Sequence, residues 1–208
     1  MAKTYGQYCA LARALDIVGD RWTLLIVREL LAGEATYGEL RRGLPGVATN
    51  LLAERLRSLE NRSLVNRTGA GKATRYRLTD RGRDLHDVIH SLVRWGAPEM
   101  ARGAAGDSFR PSWLVVALGA LASPSDIEGC IGFAVDGARV IVDTRSGEAR
   151  LADEDDVADV TIHAGAETAL AVAAGYVPLA DAVSGRRAVV RGGVRNARRL
   201  LATLGRQQ

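Results

Sequence analysis

The stretch "LPGVATNLLAERLRSLENRSLVNR", Leu44 to Arg67, decides how the first half of this chain folds. At 100° per residue, Leu52, Leu56 and Leu59 fall on one face of a helix expected from about residue 48 to residue 61. The opposite face carries Asn50, Glu54, Arg57 and Asn61, while Thr49 and Arg55 flank the leucine stripe. This polar face is either an ordinary solvated surface or one that reads DNA, because amide and guanidinium groups match the hydrogen-bonding edges of bases.

The segments on either side of this helix favour a surface that reads DNA. "YGELRRGL" predicts a short preceding helix, and Pro45 with Gly46 makes a turn that gives helix-turn-helix spacing. "LVNRT" and "RYRLT" predict two strands joined by the flexible loop "GAGKA". The hairpin would form a wing whose cations suit phosphates, and these cations are Arg67, Lys72, Arg75 and Arg77. We therefore expect the leucine-striped helix to enter a major groove.

Three further helices complete the predicted N-terminal domain. The first contains Leu11 and Leu15 and ends at Gly19, and Asp20 is a plausible N-cap for a buried second helix, "RWTLLIVRELLA". The last opens at Thr79 or Asp80. Its apolar stripe consists of Leu85, Val88, Ile89, Leu92 and Trp95. Because this stripe is longer than one small domain needs for its core, we expect it to form a two-fold interface together with the first helix.

Charge is unevenly divided along the chain. The net charge is +4, but residues 1–102 contain 17 Lys and Arg against 11 Asp and Glu. Residues 103–208 contain 11 Lys and Arg against 13 Asp and Glu. The basic excess thus lies with the predicted helix-turn-helix, which indicates a polyanionic partner.

Composition changes near residue 103 and predicts a second domain. We expect an N-terminal domain over 1–102, a Gly- and Ala-rich linker over 103–111 and a smaller domain over 112–208, in the α+β class. The second domain begins with an apolar helix, "SWLVVALGALAS". "IGFAVDGARVIVDT" predicts a hairpin that turns at Asp136 and Gly137. Two strands, two helices (the second opening at Pro178), a strand and a final helix follow.

The first domain closely resembles the HxlR-type transcription regulators, a winged-helix family. The segments that carry the resemblance are "GDRWTLLI", "YGEL", "LPG", "LAERLRSLE", "RYRLTDRG" and "VRWG", together with the early Cys9. The resemblance implies a homodimer that binds a pseudo-palindromic operator in double-stranded DNA, with the first and last helices of the domain forming most of the dimer interface. It also implies a sensor role for Cys9, because in some members the matching cysteine senses oxidants or electrophiles.

Cys9 has two readings on physical grounds. A sensor thiol needs access to solvent and a lowered pKa, and the start of a helix favours the thiolate. The alternative is a small packing residue at a dimer seam. Cys130 lies in an alternating strand and is expected to be part of the core.

The second domain resembles the sterol carrier protein type, over roughly Ile127 to Leu204. "YVPLADAVSGRRAVVRGGVRNARRLLATL" carries most of the resemblance. It implies a sheet covered by helices on one face and a tunnel for a small apolar ligand. The residues that could line such a space are Leu170, Val172, Ala173, Leu179 and Val183. The alternative is that these side chains are a filled core.

Other classes of function find little support. The sequence has no recognisable catalytic set and no phosphate-cradling glycine motif, so we expect a protein that is not an enzyme and has no cofactor. His86 and His90 have the i, i+4 spacing of metal ligands, but they and the "DEDD" run at residues 153–156 are expected to be solvated rather than to bind metal. No export signal is recognised and no apolar run approaches the roughly 20 residues of a membrane span, so a cytoplasmic protein is expected.

Two functions from different classes therefore remain open. The first is a dimeric regulator of transcription that binds specific DNA and is modulated by an apolar ligand or by oxidation of Cys9. The second is a lipid or small-ligand carrier whose winged helix only mediates dimerisation or protein binding. Four cations on the wing favour the regulator, because a carrier has no need of them.

Overall fold

The structure, a computed structural model, describes residues 4–71, 74–102 and 106–204. The chain separates into two compact units, Met1–Ile89 and His90–Gln208. The second unit is the longer of the two, because it includes the segment from His90 onward. Among the residues described, no helix is long and apolar enough to cross a membrane.

The first unit consists of helices and a small sheet, in the predicted order. Its helices are α1 (Ala10–Val18), α2 (Thr23–Leu31), α3 (Tyr37–Gly43), α4 (Thr49–Asn61), α5 (Asp80–Arg83) and the start of α6 (Leu85–Gly96). Its strands are β1 (Ala35–Thr36), β2 (Val65–Thr68) and β3 (Arg75–Leu78). The expected last helix is thus two helices, α5 and α6, separated at Asp84. The first-unit core includes Ile26 of α2, Leu40 of α3 and Leu52 of α4, all fully buried.

The three strands form one antiparallel sheet in the order β1-β3-β2. The predicted hairpin of β2 and β3 is confirmed, and β1 is an addition that the sequence did not suggest. β1 contains only two residues, and its pairing of Ala35 with Tyr76 joins the segment before α3 to the hairpin. Backbone pairing between β1 and β3 therefore attaches the wing to the segment that leads into α3.

Asp20 is not the N-cap of α2. Trp22 takes that position with a φ of 79°, in the left-handed region, and its side chain forms no capping hydrogen bond. The Asp20 carboxylate instead lies 3.1 Å from a guanidinium nitrogen of Arg55 on α4. A long-range ion pair has replaced the local capping bond that the sequence suggested.

The second unit is a five-stranded sheet with helices. After a 3-10 helix (Ala97–Arg102) come α7 (Pro111–Leu121), β4 (Cys130–Val135), β5 (Ala138–Asp143), β6 (Ala149–Leu151), β7 (Val160–Ala164), α8 (Ala166–Ala173), α9 (Leu179–Ser184), β8 (Ala188–Arg191) and α10 (Val194–Leu201). The sheet order is β6-β5-β4-β7-β8, and only the central pair, β4 with β7, is parallel among the pairings described. The predicted hairpin turn is confirmed, since Asp136 and Gly137 both have positive φ, as a type I′ turn requires.

One apolar cluster joins the helices of the second unit to one face of this sheet. Ile131, Phe133 and Val135 alternate along β4 and are buried against side chains of α7, α8, α9 and α10. The residues expected to line a ligand space lie in or against this cluster: Val172, Ala173 and Leu179 are buried, and Leu170 and Val183 are partly buried. Pro178 is the N-cap of α9 rather than its first residue. On α10, Ala197 and Leu200 are buried and Val194 is exposed.

Candidate nucleic-acid interface

Local bonds fix the relative position of α3 and α4. Thr36 caps α3 in a capping box: its hydroxyl accepts from the backbone N–H of Glu39, and the Glu39 carboxylate accepts from the N–H of Thr36 at 2.7 Å. This bond to the Thr36 amide holds the pKa of the Glu39 carboxyl below its ordinary value. The hydroxyl of Tyr37 then donates to the carbonyl oxygen of Thr49 at 2.6 Å, which ties the first turn of α3 to the first turn of α4.

The two faces of α4 differ as predicted. Leu52, Leu56 and Leu59 are buried. Thr49, Asn50 and Arg57 are exposed, and the Nε of Arg57 donates to the carbonyl of Ala53 one turn earlier. This bond holds the guanidinium against the helix surface, on the exposed face of α4. The geometry suits contact with base edges, which require rigid, planar donors.

Arg55 does not belong to this exposed face. Its side chain is only 16% exposed and lies 3.1 Å from both Asp20 and Glu54. Arg55 lies at the edge of the leucine stripe, so its side chain packs against the protein and pairs with the carboxylates of Asp20 and Glu54. It is therefore a residue that positions α4 against the segment before α2.

The register of the hairpin divides the wing cations between its two faces. Arg67 lies opposite Tyr76, whereas Arg75 lies opposite Thr68 and Arg77 opposite Asn66. Directly opposed residues of an antiparallel pair share a face, so Arg67 lies on one face and Arg75 with Arg77 on the other. Lys72, the fourth predicted cation, lies outside the described residues.

Each face of the wing has its own electrostatic surroundings. Burial raises the pKa of the Tyr76 hydroxyl, and the positive charge of Arg67 opposes that shift. Arg75 donates to the carbonyl of Glu34 at 3.2 Å and lies 3.9 Å from the Glu39 carboxylate. Arg77 lies 4.0 Å from the carboxylate of Glu34. Half-exposed pairs at these distances are weak and can be exchanged for a phosphate.

Two arginines that the sequence pattern did not single out lie near the end of α4. Arg62 and Arg81 line a depression together with Arg57. Neither residue has a pattern that distinguishes it in the sequence, since one follows a helix and the other sits in the four-residue α5. Only the folded chain brings them together.

The remaining sequence candidates are two cysteines, a histidine pair and an acidic run. Cys9 is exposed and is the N-cap residue of α1, whereas Cys130 is half-buried and burial raises the pKa of its thiol. His86 lies 2.9 Å from Asp87, and within the "DEDD" run Asp156 is held by Arg150 at 2.6 Å. Within the described ranges, no group of three or more His, Cys, Asp or Glu residues could hold a metal ion.

Known proteins resemble the first half of the chain. The HxlR-like helix-turn-helix family matches residues 17–103. An HTH-type transcriptional regulator of Mycobacterium tuberculosis is 41% identical over 96 residues, which are 45% of this chain and 60% of that protein. The chain thus spans about three fifths of the mycobacterial relative. The HTH-type transcriptional regulator YvaP of Bacillus subtilis is 34% identical over 86 residues, which are 40% of this chain and 80% of YvaP.

One solved structure with a similar sequence is the reduced form of the transcriptional regulator YodB from Bacillus subtilis. It is 28% identical, with a TM-score of 0.40, and the match covers 47% of this chain and 99% of YodB.

Proposed function

The chain belongs to the HxlR-like helix-turn-helix family, and on that premise we propose that it is a dimeric, sequence-specific DNA-binding regulator of transcription. The names of its relatives, HTH-type transcriptional regulators, support this function over that of a carrier with an accessory winged helix.

The exposed face of α4 is the observation that carries the proposal. Three buried leucines anchor one side of the helix, and Asn50 and Arg57 project from the other side in the segment that follows the turn. Asn pairs with adenine and Arg with guanine through two hydrogen bonds each, and each such pair discriminates by about 1–3 kcal/mol. We assign base contacts to these two residues and a flanking contact to Thr49.

The wing cations are assigned to phosphates. Arg67, Arg75 and Arg77, with Lys72 between the strands, would follow the backbone beside the groove that α4 enters. The division of Arg67 from Arg75 and Arg77 suits a wing that inserts between two phosphate rows. Arg55 is left out of the DNA contacts because Asp20 and Glu54 neutralise it.

Exposed apolar side chains support a homodimer. Leu11 and Leu15 of α1 are 67% and 40% exposed. Along α6, Val88 and Leu92 are each 46% exposed and Trp95 is 81% exposed, whereas only Ile89 of the predicted stripe is buried. Isolated exposed apolar residues are common, but helical rows of them indicate an interface. A two-fold dimer would present two α4 helices to half-sites about one DNA turn apart.

Mapping of bound sites across the source genome tests the function. The proposal predicts recurrent sites with two-fold related halves, upstream of genes whose transcription changes when the protein is removed. Absence of enriched sites, with the protein present and folded in the cell, would contradict it.

The second unit is proposed to be a sterol carrier protein type domain that modulates DNA binding through a small apolar ligand. The support is the five-stranded sheet with helices packed on one face. Since Val172, Ala173 and Leu179 are buried in the cluster, a ligand would have to displace packed side chains. Couplings between sites are typically about 1–3 kcal/mol. Native mass spectrometry of the purified protein should reveal a bound apolar molecule that changes operator affinity, and its absence would refute this role.

Cys9 is proposed as a second point of control. Its exposed position meets the access requirement of a sensor thiol. Oxidation by hydrogen peroxide should change the operator affinity of the wild-type protein and leave that of Cys9→Ser unchanged. An equal response of both proteins would refute the assignment.

A further inference from the structure

The end of α4 and the start of α5 enclose a depression on the first unit. Three arginines, Arg57, Arg62 and Arg81, contribute to its lining. The other donors around it are the hydroxyls of Ser58 and Ser63 and the amide of Asn61. Glu54 is the one carboxylate among its described lining residues, and it lies 3.1 Å from Arg55.

Among the described residues, none of these three arginines lies within 4 Å of a carboxylate oxygen, and the Asp16 carboxylate acts on Arg62 only from beyond that distance. Each donates to a backbone carbonyl instead: Arg57 to Ala53 at 3.3 Å, Arg62 to Asp16 at 3.2 Å, and Arg81 to Arg62 at 3.0 Å. Elsewhere in the first unit, Arg28, Arg55 and Arg83 lie within 3.1 Å of a carboxylate. Backbone bonds fix a guanidinium without cancelling its charge, so the depression is a concave surface with positive potential.

Three consecutive carbonyls hold this site in shape. The carbonyl of Arg62 accepts from Arg81, that of Ser63 from the Thr79 hydroxyl at 2.7 Å, and that of Leu64 from the Thr79 N–H at 3.0 Å. Ser63 has a φ of 57° and closes α4, with the N–H of Leu64 bonded to the carbonyl of Leu59 as in a Schellman motif. The donors are thus positioned before any ligand binds, which reduces the entropy lost on binding.

The backbone of Gly82 presses directly on the same turn. A Cβ at this position would overlap the carbonyl oxygen of Leu64. Glycine therefore lets α5 approach the end of α4 closely enough for Arg81 to reach Arg62. The sequence gives no sign of this role because it depends on the contact between two separate segments.

We propose that this depression binds a phosphate of the operator backbone, at the end of α4 remote from its first turn. The inference rests on the proposed function. Phosphate oxygens accept hydrogen bonds from guanidinium groups and hydroxyls, and the depression supplies both kinds of donor. Arg57 lines the depression and also belongs to the outward face of α4, so the site is continuous with the surface assigned to base contacts. This continuity favours the DNA backbone over a free oxyanion.

A salt-dependence experiment with charge-neutral variants tests the site. Arg81→Gln removes the charge and retains a donor for the Arg62 carbonyl, and Arg62→Gln is a second, independent variant. Arg83→Gln is the matched control, because Arg83 lies two residues from Arg81 in α5 but pairs with Asp80 at 2.6 Å. Operator affinity of the full chain is measured by fluorescence anisotropy from about 50 to 200 mM salt, with a scrambled duplex alongside. Thermal unfolding verifies that each variant folds.

The expected result is a change in slope for the two depression variants. Because the proposed dimer carries two such sites, each variant should reduce the steepness of log affinity against log salt by about 1.8 and weaken binding of both duplexes roughly 60-fold at 0.1 M salt, with little change for Arg83→Gln. The site is refuted, and the proposed function stands, if wild type binds its operator and both Arg81→Gln and Arg62→Gln have the salt slope and affinity of wild type or of Arg83→Gln. If the wild-type chain binds no duplex, both are refuted.

Binding of inorganic phosphate is measured in parallel by calorimetry. Phosphate binding that depends on Arg81, combined with an unchanged salt slope, would assign the depression to a free oxyanion and overturn the backbone contact. The proposal would be supported if phosphate competes with the operator for wild type but not for Arg81→Gln, and if Arg81→Gln also has the altered salt slope.

Discussion

The hydroxyl of Tyr37 donates to the carbonyl oxygen of Thr49 over 2.6 Å, so the first residue of α3 is bonded to the first residue of α4. In a helix-turn-helix the angle between the two helices determines how the second helix enters the groove. A single side chain therefore contributes to the orientation of the face that carries Asn50 and Arg57, although it need not touch DNA itself.

Removing this hydroxyl should weaken both stability and DNA binding. Tyr37→Phe is expected to lower the free energy of unfolding by about 0.5–1.5 kcal/mol, the usual contribution of one hydrogen bond. Operator affinity should fall more than affinity for a scrambled duplex, because base contacts depend on orientation more than phosphate contacts do. Urea unfolding and anisotropy measure the two effects. Tyr5→Phe, which removes the hydroxyl of a 60% exposed tyrosine, is the control, and equal effects of both changes would refute the role of Tyr37.

Gly82 should tolerate no side chain. In Gly82→Ala the added Cβ would overlap the Leu64 carbonyl, and overpacking of this kind destabilises by about 1–3 kcal/mol. The control is Gly38→Ala on α3, where a Cβ would have no heavy atom within 4 Å and helix propensity favours alanine. Urea unfolding should show a loss for the first variant and no loss for the second. A Gly82→Ala protein as stable as wild type would contradict the close approach of α5.

The capping box of α3 predicts a pH dependence of stability. Because the Thr36 amide lowers the pKa of the folded Glu39 carboxyl below its ordinary value of 4.5, the carboxylate stabilises the fold fully above that pH. The contribution is lost as the pH falls through the folded pKa. Glu39→Gln removes the titration, so the stability difference between wild type and variant should shrink between neutral pH and about pH 3. A difference that is constant over this range in urea unfolding would refute the prediction.

The exposed row on α1 predicts a dimer that one charge can disrupt. Leu11→Glu should convert the dimer to a folded monomer at micromolar concentration, because the side chain is 67% exposed in the single chain and would be buried only in a dimer. Leu25→Glu on α2, where the leucine is 41% exposed, should leave the dimer intact. Light scattering distinguishes the outcomes. A wild-type monomer, or a dimer that survives Leu11→Glu, would contradict the proposed interface.

The elements of the first unit could be predicted from sequence where local signals are strong. The three leucines of α4 repeat at helical spacing and are all buried, and the turn at Asp136 and Gly137 needs only the residues of the turn itself. β1 was missed because two residues carry no periodicity, and their pairing with β3 depends on the folded hairpin.

The candidate site was less predictable because its geometry depends on residues distant in sequence. Arg55 and Arg57 are two positions apart on one helix, but Asp20 attracts the first inward and leaves the second exposed. The wing cations were recognisable as a set, whereas their division between two faces required the strand register. Arg62 and Arg81 become neighbours only when α5 docks on the turn after α4.

Selection of binding sites from a randomised duplex library tests the central claim most directly, that the exposed face of α4 reads bases. Wild type should enrich a two-fold related sequence with half-sites about one DNA turn apart. Arg57→Ala should lose preference at one position of each half-site, by about 1–3 kcal/mol, and Arg83→Ala should retain the full sequence. A wild-type protein that enriches no sequence, or an Arg57→Ala protein that enriches the same sequence with the same strength, would contradict the claim.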